Sequence, residues 1–332
     1  MFRWFNWESQ LQKRIIVGAG ILAVLAIALA FRMLTVFIFD AFILVLVLVC
    51  AYELMKTKKL EQRGVRDYYI YPYIVIAYLA FLLGILVDEP FALWLHVVLQ
   101  VTLIAILCVY VFMMAYTDKE LAKRCKLEKK EVGRESRRVV WEYLKLVLYP
   151  TFLLFTLIPL NHIAFWTEVS VDAGAYPVES LGLFALLLVL VISMASDTFA
   201  YCTGRILKGP KFAESISPNK TITGAVGGLF GGVVGALTVL MIMTTSPYLQ
   251  TFLTQTIGYA PAVIGTFVAI GLIGSALTQA GDLFASWIKR RANVKDFGKW
   301  LPGHGGIMDR VDGIIFNAPF IFFFIMLLVF AV

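Results

Sequence analysis

Charge is scarce in this chain. Asp, Glu, Lys and Arg make up only 15% of its 332 residues, against about 25% in a soluble globular domain, and mean hydropathy is +0.84. So apolar a composition excludes a freely soluble protein. The usual scaling of about one domain per 150 residues then loses its meaning, because lipid solvates most of the chain. Cysteine is sparse too. Cys50, Cys108, Cys125 and Cys202 show neither metal-ligand spacing nor a disulfide framework. Cys50, Cys108 and Cys202 lie in or beside apolar runs, where thiols are ordinarily buried. With three histidines in all, no His or Cys other than His304 is a plausible catalyst. A small-residue cleavage site is also missing after the first apolar run, Ile15 to Ala30, so that run reads as a retained helix rather than a cleaved signal. The segment before it mixes Phe2, Trp4, Phe5 and Trp7 with basic residues and suits the membrane interface.

What is abundant is apolar runs of spanning length. A membrane helix needs roughly 20 mainly apolar residues, and about nine stretches qualify: 15–31, 34–54, 70–87, 91–116, 146–166, 181–202, 222–244, 262–284 and 313–331. The expected fold is all-α, a polytopic integral membrane protein. The first five spans form an N-terminal part, 1–180, and the last four a catalytic membrane domain, 181–332. The net charge of +7 would hint at nucleic acid in a soluble protein. Here it reports topology, and no nucleic-acid partner is expected. With nine spans, all but one of the 29 Lys and Arg residues fall on one side of the membrane, Arg32 being the exception. Positive charge marks the cytoplasmic side, so the N-terminus is expected inside and the C-terminus outside. The polar segment 117–145, rich in both signs of charge, reads as a solvated helical excursion beside anionic headgroups.

Span seven contains TGAVGGLFGGVVGAL. Its glycines repeat at intervals of four, at Gly227, Gly231 and Gly235 and again at Gly228 and Gly232. That spacing lets membrane helices approach closely. A dinucleotide fingerprint would need a preceding strand, and none is in sight.

Acids inside or at the ends of spans are costly and therefore functional candidates. Asp40 stands alone near the outer end of span two and reads as structural. The others gather on the inner side: Asp197 ends span six, Asp282 ends span eight, and Asp309 and Asp312 open span nine. Arg205, Lys220, Lys289, Arg290, Lys295 and Arg310 accompany them. Carboxylates beside dense basic groups suit a divalent cation together with phosphates, since Mg²⁺ takes one or two carboxylates and completes its shell with phosphate oxygens and water. The turn Pro302-Gly303-His304-Gly305-Gly306 can converge backbone N–H groups on an anion, at a helix start that favours phosphate. Asp309 is the nearer metal ligand, and Asp312 can equally pair with Arg310 or a neighbouring Lys. His304 is either a turn residue or a direct participant. A second polar run, with Ser217, Pro218, Asn219, Lys220 and Thr221 opening span seven, also fits nucleotide phosphates or base edges, although Ser and Pro are ordinary helix-start residues.

The run from Ser286 to Asp312, SWIKRRANVKDFGKWLPGHGGIMDRVD, resembles the signature of phosphatidate cytidylyltransferases, also called CDP-diacylglycerol synthases. The pattern Ser-x-x-Lys-Arg, four residues, Lys-Asp-x-Gly, then Pro-Gly-x-His-Gly-Gly-x-x-Asp-Arg-x-Asp is met at Ser286, Lys289, Arg290, Lys295, Asp296, His304, Gly305, Gly306, Asp309, Arg310 and Asp312. Gly281-Asp282-Leu283, DTFAYCTGR from Asp197 and the Ser-Pro-x-Lys-Thr run at 217–221 are similar as well, so the resemblance covers about 195–315. The chain departs from the pattern at Thr223, where related sequences usually have Glu, and at Glu214, where they often have Pro.

The resemblance implies that CTP and phosphatidate react to CDP-diacylglycerol and pyrophosphate, for phospholipid synthesis, with Mg²⁺ and with room for a second, monovalent cation such as K⁺. It implies a helical homodimer in the inner (cytoplasmic) membrane of the cell, with its site facing the cytoplasm. Asp282 and Asp309 would hold metal, with Asp312 beside them. Lys220, Lys289, Arg290 and Arg310 would hold phosphates. Asp197, Arg205, Ser217, Thr221, Lys295, His304, Gly305 and Gly306 would complete the substrate site. Two other readings differ in product. A transporter would place its charges near the bilayer midplane, and a CTP-dependent polyprenol kinase would release CDP instead of pyrophosphate.

Overall fold

In lipid every backbone polar group must be satisfied within the chain, so apolar segments that cross a membrane become helices. The computed structural model follows that rule over the residues it describes, 5–32, 34–57, 67–85, 92–117, 129–163, 179–301 and 305–330. Apart from two isolated bridges, Lys211–Thr221 and Leu301–Gly305, its regular elements are helical. They are α1 (Phe5–Arg32), α2 (Val36–Thr57), α3 (Asp67–Ile85), α4 (Ala92–Thr117), α5 (Lys129–Leu146), α6 (Glu179–Leu207), α7 (Ile222–Met243), α8 (Pro247–Thr256), α9 (Ala260–Arg291) and α10 (Met308–Phe330). Past Leu146, α5 runs on through a π-helical turn, Val147–Phe152, and short pieces at Leu153–Phe155 and Leu157–Asn161.

Among the described residues, six helices are long and apolar enough to cross a membrane: Val36–Thr57, Ser136–Asn161, Leu181–Leu207, Ile222–Met243, Ala260–Arg291 and Met308–Leu328. Over the described residues the fold is thus all-helical, with six membrane-length helices, consistent with a polytopic membrane protein. Shorter apolar helices at Ile16–Arg32, Tyr69–Leu83 and Val101–Met114 coincide with the first, third and fourth stretches expected from sequence. The helices reach beyond the apolar runs. α9 continues through Lys289 and Arg290, and α6 continues ten residues past Asp197, so these polar groups ride on regular helix. The described part of the charged excursion, from Lys129, is helical and passes straight into the membrane segment. Tyr149 breaks that segment with non-helical backbone angles (φ −132°, ψ 115°), and the proline that follows it has no N–H to give.

α7 is the central strut of the C-terminal half. A Cβ at Gly231 would meet the Ala195 carbonyl and Phe199 of α6, and one at Gly232 would meet Ser275 and the Gly271 carbonyl of α9. The two glycine rows therefore face two different helices. A polar seam crosses the same core: Asn317 donates to the Val189 carbonyl and to Ser193 (both 3.1 Å), and Ser193 meets Thr278 at 3.2 Å.

The far end of the bundle holds a second buried polar cluster, and it gives partners to two residues that stood alone in sequence. Asp40, isolated in sequence, accepts from Asn161 Nδ2 at 2.9 Å and pairs with His162. Arg32, the exception to the charge asymmetry, is buried and donates to the Asn161 side chain and backbone. Asn161 also donates to the Val36 carbonyl at 2.9 Å. The cluster ties α1, α2 and the end of the α5 segment together and stays structural in character.

Candidate active site

Three helices deliver acids to the near end of the bundle. Asp197 comes from α6, Asp282 from α9, and Asp309 and Asp312 from the first turns of α10. α9 and α10 cross tightly there, since a Cβ on Gly281 would run into the Asp312 carbonyl. Asp312 lies within electrostatic range of Asp282, Asp197 and Lys289, and Asp197 within range of Asp282, Lys220 and Arg310. The four carboxylates singled out from sequence thus share one locale.

Two lysines answer them. Lys220 Nζ stands 2.7 Å from Asp282 Oδ2, and Lys289 Nζ 2.7 Å from Asp309 Oδ1. Lys289 also lies over the Phe297 ring, 5.2 Å from its centroid. Lys220 precedes the N-cap of α7, Thr221, whose hydroxyl accepts from the Gly224 N–H at 3.1 Å. Thr221 is therefore occupied as a cap. Thr223, at a departure from the family pattern, meets Thr221 at 3.2 Å and accepts from the Gly209 N–H at 3.1 Å. It closes the loop 208–221 from within. Ser217 shapes the same loop through its backbone, donating to the Ala213 carbonyl at 2.7 Å and accepting from the Lys220 N–H at 3.2 Å.

The basic residues divide by task. Arg290 donates through Nε to the Ile216 carbonyl at 3.0 Å and so pins the 208–221 loop to α9. Arg205 turns to Tyr201 on its own helix, with a 2.7 Å hydrogen bond to the phenol. Lys295 and Arg310 are exposed. His304 lies outside the described residues.

Asp309 organises the signature loop. Its Oδ2 accepts from the backbone N–H groups of Phe297 and Gly306, both at 2.9 Å, while Oδ1 takes Lys289. Gly305, with φ +82°, is in the left-handed region that glycine adopts readily, and it bridges back to Leu301. Asp312 is buried, and Oδ1 accepts from the Gly313 N–H at 2.9 Å.

The sequence reading missed the group that holds this loop from behind. Glu53 of α2 is 1% exposed. Its two oxygens accept from the N–H groups of Ile307 (3.1 Å) and Met308 (2.9 Å), where α10 begins. A carboxylate at a helix N-terminus satisfies orphan donors and complements the dipole. Glu53 passes so close to Gly298 and Gly306 that a Cβ on either would collide with it. One turn on, Thr57 donates to the Phe297 carbonyl at 2.9 Å. An acid inside an apolar span was the available signal.

Among the described residues no group of three or more His, Cys, Asp and Glu side chains is close enough to hold a metal by itself. The donor set still suits Mg²⁺, which keeps several waters and relies on substrate phosphates for the rest of its octahedron. Several carboxylates lie in mutual range with two lysines beside them.

The sequence profile of the cytidylyltransferase family matches residues 12–328. A phosphatidate cytidylyltransferase of Brucella abortus is 38% identical over 146 residues, 44% of this chain and 48% of its own length. One of Rickettsia felis is 36% identical over 145 residues, 44% of this chain and 60% of its own. One of Synechocystis is 35% identical over 175 residues, 52% of this chain and 51% of its own. The chain thus spans about half the length of the curated relatives it matches. With a family profile matched over nearly its full length, this chain belongs to the cytidylyltransferase family.

Proposed function

We propose that the chain transfers the cytidylyl group of CTP to phosphatidate, yielding CDP-diacylglycerol and pyrophosphate. One observation carries the reading: acids from α6, α9 and α10, each near a lysine, converge at one end of a membrane bundle around the 286–312 signature loop. The relatives' names supply the two substrates.

The reaction joins an oxygen of the phosphatidate phosphate to the α-phosphorus of CTP and breaks the bond to the β-phosphate oxygen, which leaves with its electron pair as pyrophosphate. The attacking phosphate is largely dianionic near neutral pH, its second pKa being about 6, so no general base is required. The difficulty is bringing two anions together, and positioning with charge stabilisation is the remedy in phosphoryl transfer. Lys220 and Lys289 are held by Asp282 and Asp309 in the free site and swing to phosphate oxygens when substrate enters. Arg290 keeps the 208–221 loop in place, and Arg310 faces the same cluster. Asp282, Asp309 through its Oδ1, and Asp312 would hold Mg²⁺, with a monovalent ion such as K⁺ as a second occupant. Bound there, Mg²⁺ offsets phosphate charge and stabilises the departing pyrophosphate.

We further infer nine spans with this end of the bundle facing the cytoplasm, on the charge asymmetry of the loops, and a homodimer in the inner membrane, on the family resemblance. The lipid then stays in the bilayer while CTP arrives from the cytosol. Purified chain in detergent, given CTP, phosphatidate and Mg²⁺, releases pyrophosphate. Release of CDP instead would point to a kinase, and no turnover at all would discard the reading. A single cysteine at exposed Lys211 (Lys211→Cys in a cysteine-free chain) is labelled by an impermeant maleimide only in inverted vesicles if the orientation is right.

A further inference from the structure

Tyr149 is the residue at which the α5 segment breaks. It is 7% exposed, and among the described residues no group pairs with its hydroxyl. Burying a hydroxyl without a partner is costly, and an unsatisfied buried group of this kind calls for a reason. Its surroundings supply one. The phenol lies within electrostatic range of Asp312, Asp282 and Asp309. Its ring packs edge-on against Phe284, 4.9 Å between centroids, and against Phe316 at 6.1 Å. Phe284 follows Asp282 by two residues on α9. Phe316 follows Asp312 by four on α10, so those two side chains share a helix face. Tyr149 therefore comes to the acid cluster from the N-terminal half of the chain, with its ring against Phe316, one helical turn from Asp312, and its hydroxyl in electrostatic range of three of the acids.

The neighbourhood also indicates which substrate it meets. Phe284 stacks on Trp287 with centroids 5.7 Å apart, and both are partly exposed on α9, a helix long and apolar enough to cross a membrane. The loop 208–221, by contrast, is polar and largely exposed. A group set between an exposed aromatic pair on a membrane-length helix and the acids is placed to meet a lipid headgroup.

We propose that the Tyr149 hydroxyl binds the phosphomonoester of the lipid substrate, donating a hydrogen bond to one of its oxygens. This rests on the reaction proposed above. A tyrosine hydroxyl is a donor without charge of its own, so it can sit beside carboxylates in the free protein and still favour an incoming phosphate. Asp312 and Asp282 keep the cluster attractive to cations, and Tyr149 adds a contact specific to the anion that arrives from the bilayer side.

Tyr149→Phe removes the hydroxyl and keeps the ring packing on Phe284 and Phe316. Pyrophosphate release is measured with wild-type and variant protein in nanodiscs of graded phosphatidate content, at saturating CTP and then with CTP varied. The expected result is a KM for phosphatidate raised about tenfold, the scale of one hydrogen bond to an ionised group, with the KM for CTP unchanged and the thermal midpoint level or higher, since the unpaired buried hydroxyl is gone. An unchanged phosphatidate KM in an active wild type overturns the assignment, as does an equal rise in both KM values. If the wild type releases no pyrophosphate, the reaction itself is wrong and the tyrosine assignment falls with it.

Discussion

Glu53 accepts a 2.9 Å hydrogen bond from the backbone N–H of Met308, 255 residues further along the chain. With the companion bond from Ile307, it makes α2 the support on which the signature loop is built. Glu53→Gln keeps the volume and leaves only one oxygen, so an amide N–H₂ then faces a backbone N–H in a buried site. The loss is about 1–3 kcal/mol. Thermal unfolding of the detergent-solubilised variant gives a lower midpoint, and an unchanged midpoint would show that the carboxylate does not hold the loop.

The glycines against Glu53 test the same contact from the other side. A methyl at Gly306 collides with the Glu53 carboxylate, so Gly306→Ala is strongly destabilising in the native chain. In a Glu53→Ala background the carboxylate is gone, only the Gly298 backbone nitrogen at 2.7 Å remains in the way, and the same substitution costs less. The double-mutant cycle should give a coupling of about 1 kcal/mol or more, as touching residues do. Additive effects would mean that the loop already sits clear of α2.

The elements differ in how much of this was legible in sequence. The apolar runs announced helices because lipid leaves the backbone no alternative, and the glycine rows of α7 announced close packing. The three-residue spacing put Asp309 and Asp312 on one face, and the resemblance to the family signature added Lys289. Glu53 and Thr57 were hidden because their partners are backbone groups from Phe297 to Met308, and backbone leaves no residue pattern to match. Tyr149 was hidden for a related reason: a Tyr-Pro step inside an apolar run looks like packing until the helix is seen to break there. Arg290 was legible as a basic residue near phosphates, whereas its bond to the Ile216 carbonyl depends on how the 208–221 loop folds.

That bond separates two roles for Arg290. If its charge alone matters, Arg290→Lys keeps most of the activity. If the guanidinium pins the loop through Nε, lysine fails almost as badly as alanine, because it lacks the planar fork. The geometry favours pinning. Both variants should raise the KM for CTP severalfold, by similar factors, with little change in the KM for phosphatidate. A lysine variant close to wild type would return Arg290 to a simple electrostatic role.

If Asp282 holds a divalent cation, as proposed, Lys220 competes with that cation for one carboxylate, and the competition gives the metal assignment a sign. Chelation should stop pyrophosphate release, and added Mg²⁺ should restore it. Asp282→Asn removes a ligand, so the Mg²⁺ concentration for half-maximal activity rises by more than the roughly tenfold that even an outer-shell partner can cost. Lys220→Met removes the ammonium paired with Asp282 at 2.7 Å and frees the carboxylate for the cation. Its Mg²⁺ requirement should stay level or fall, while its KM for CTP rises because a phosphate contact is lost. A Mg²⁺ titration of pyrophosphate release on the two variants separates them. If both move the requirement upward by the same factor, the pair acts as one structural unit and Asp282 is not a metal ligand.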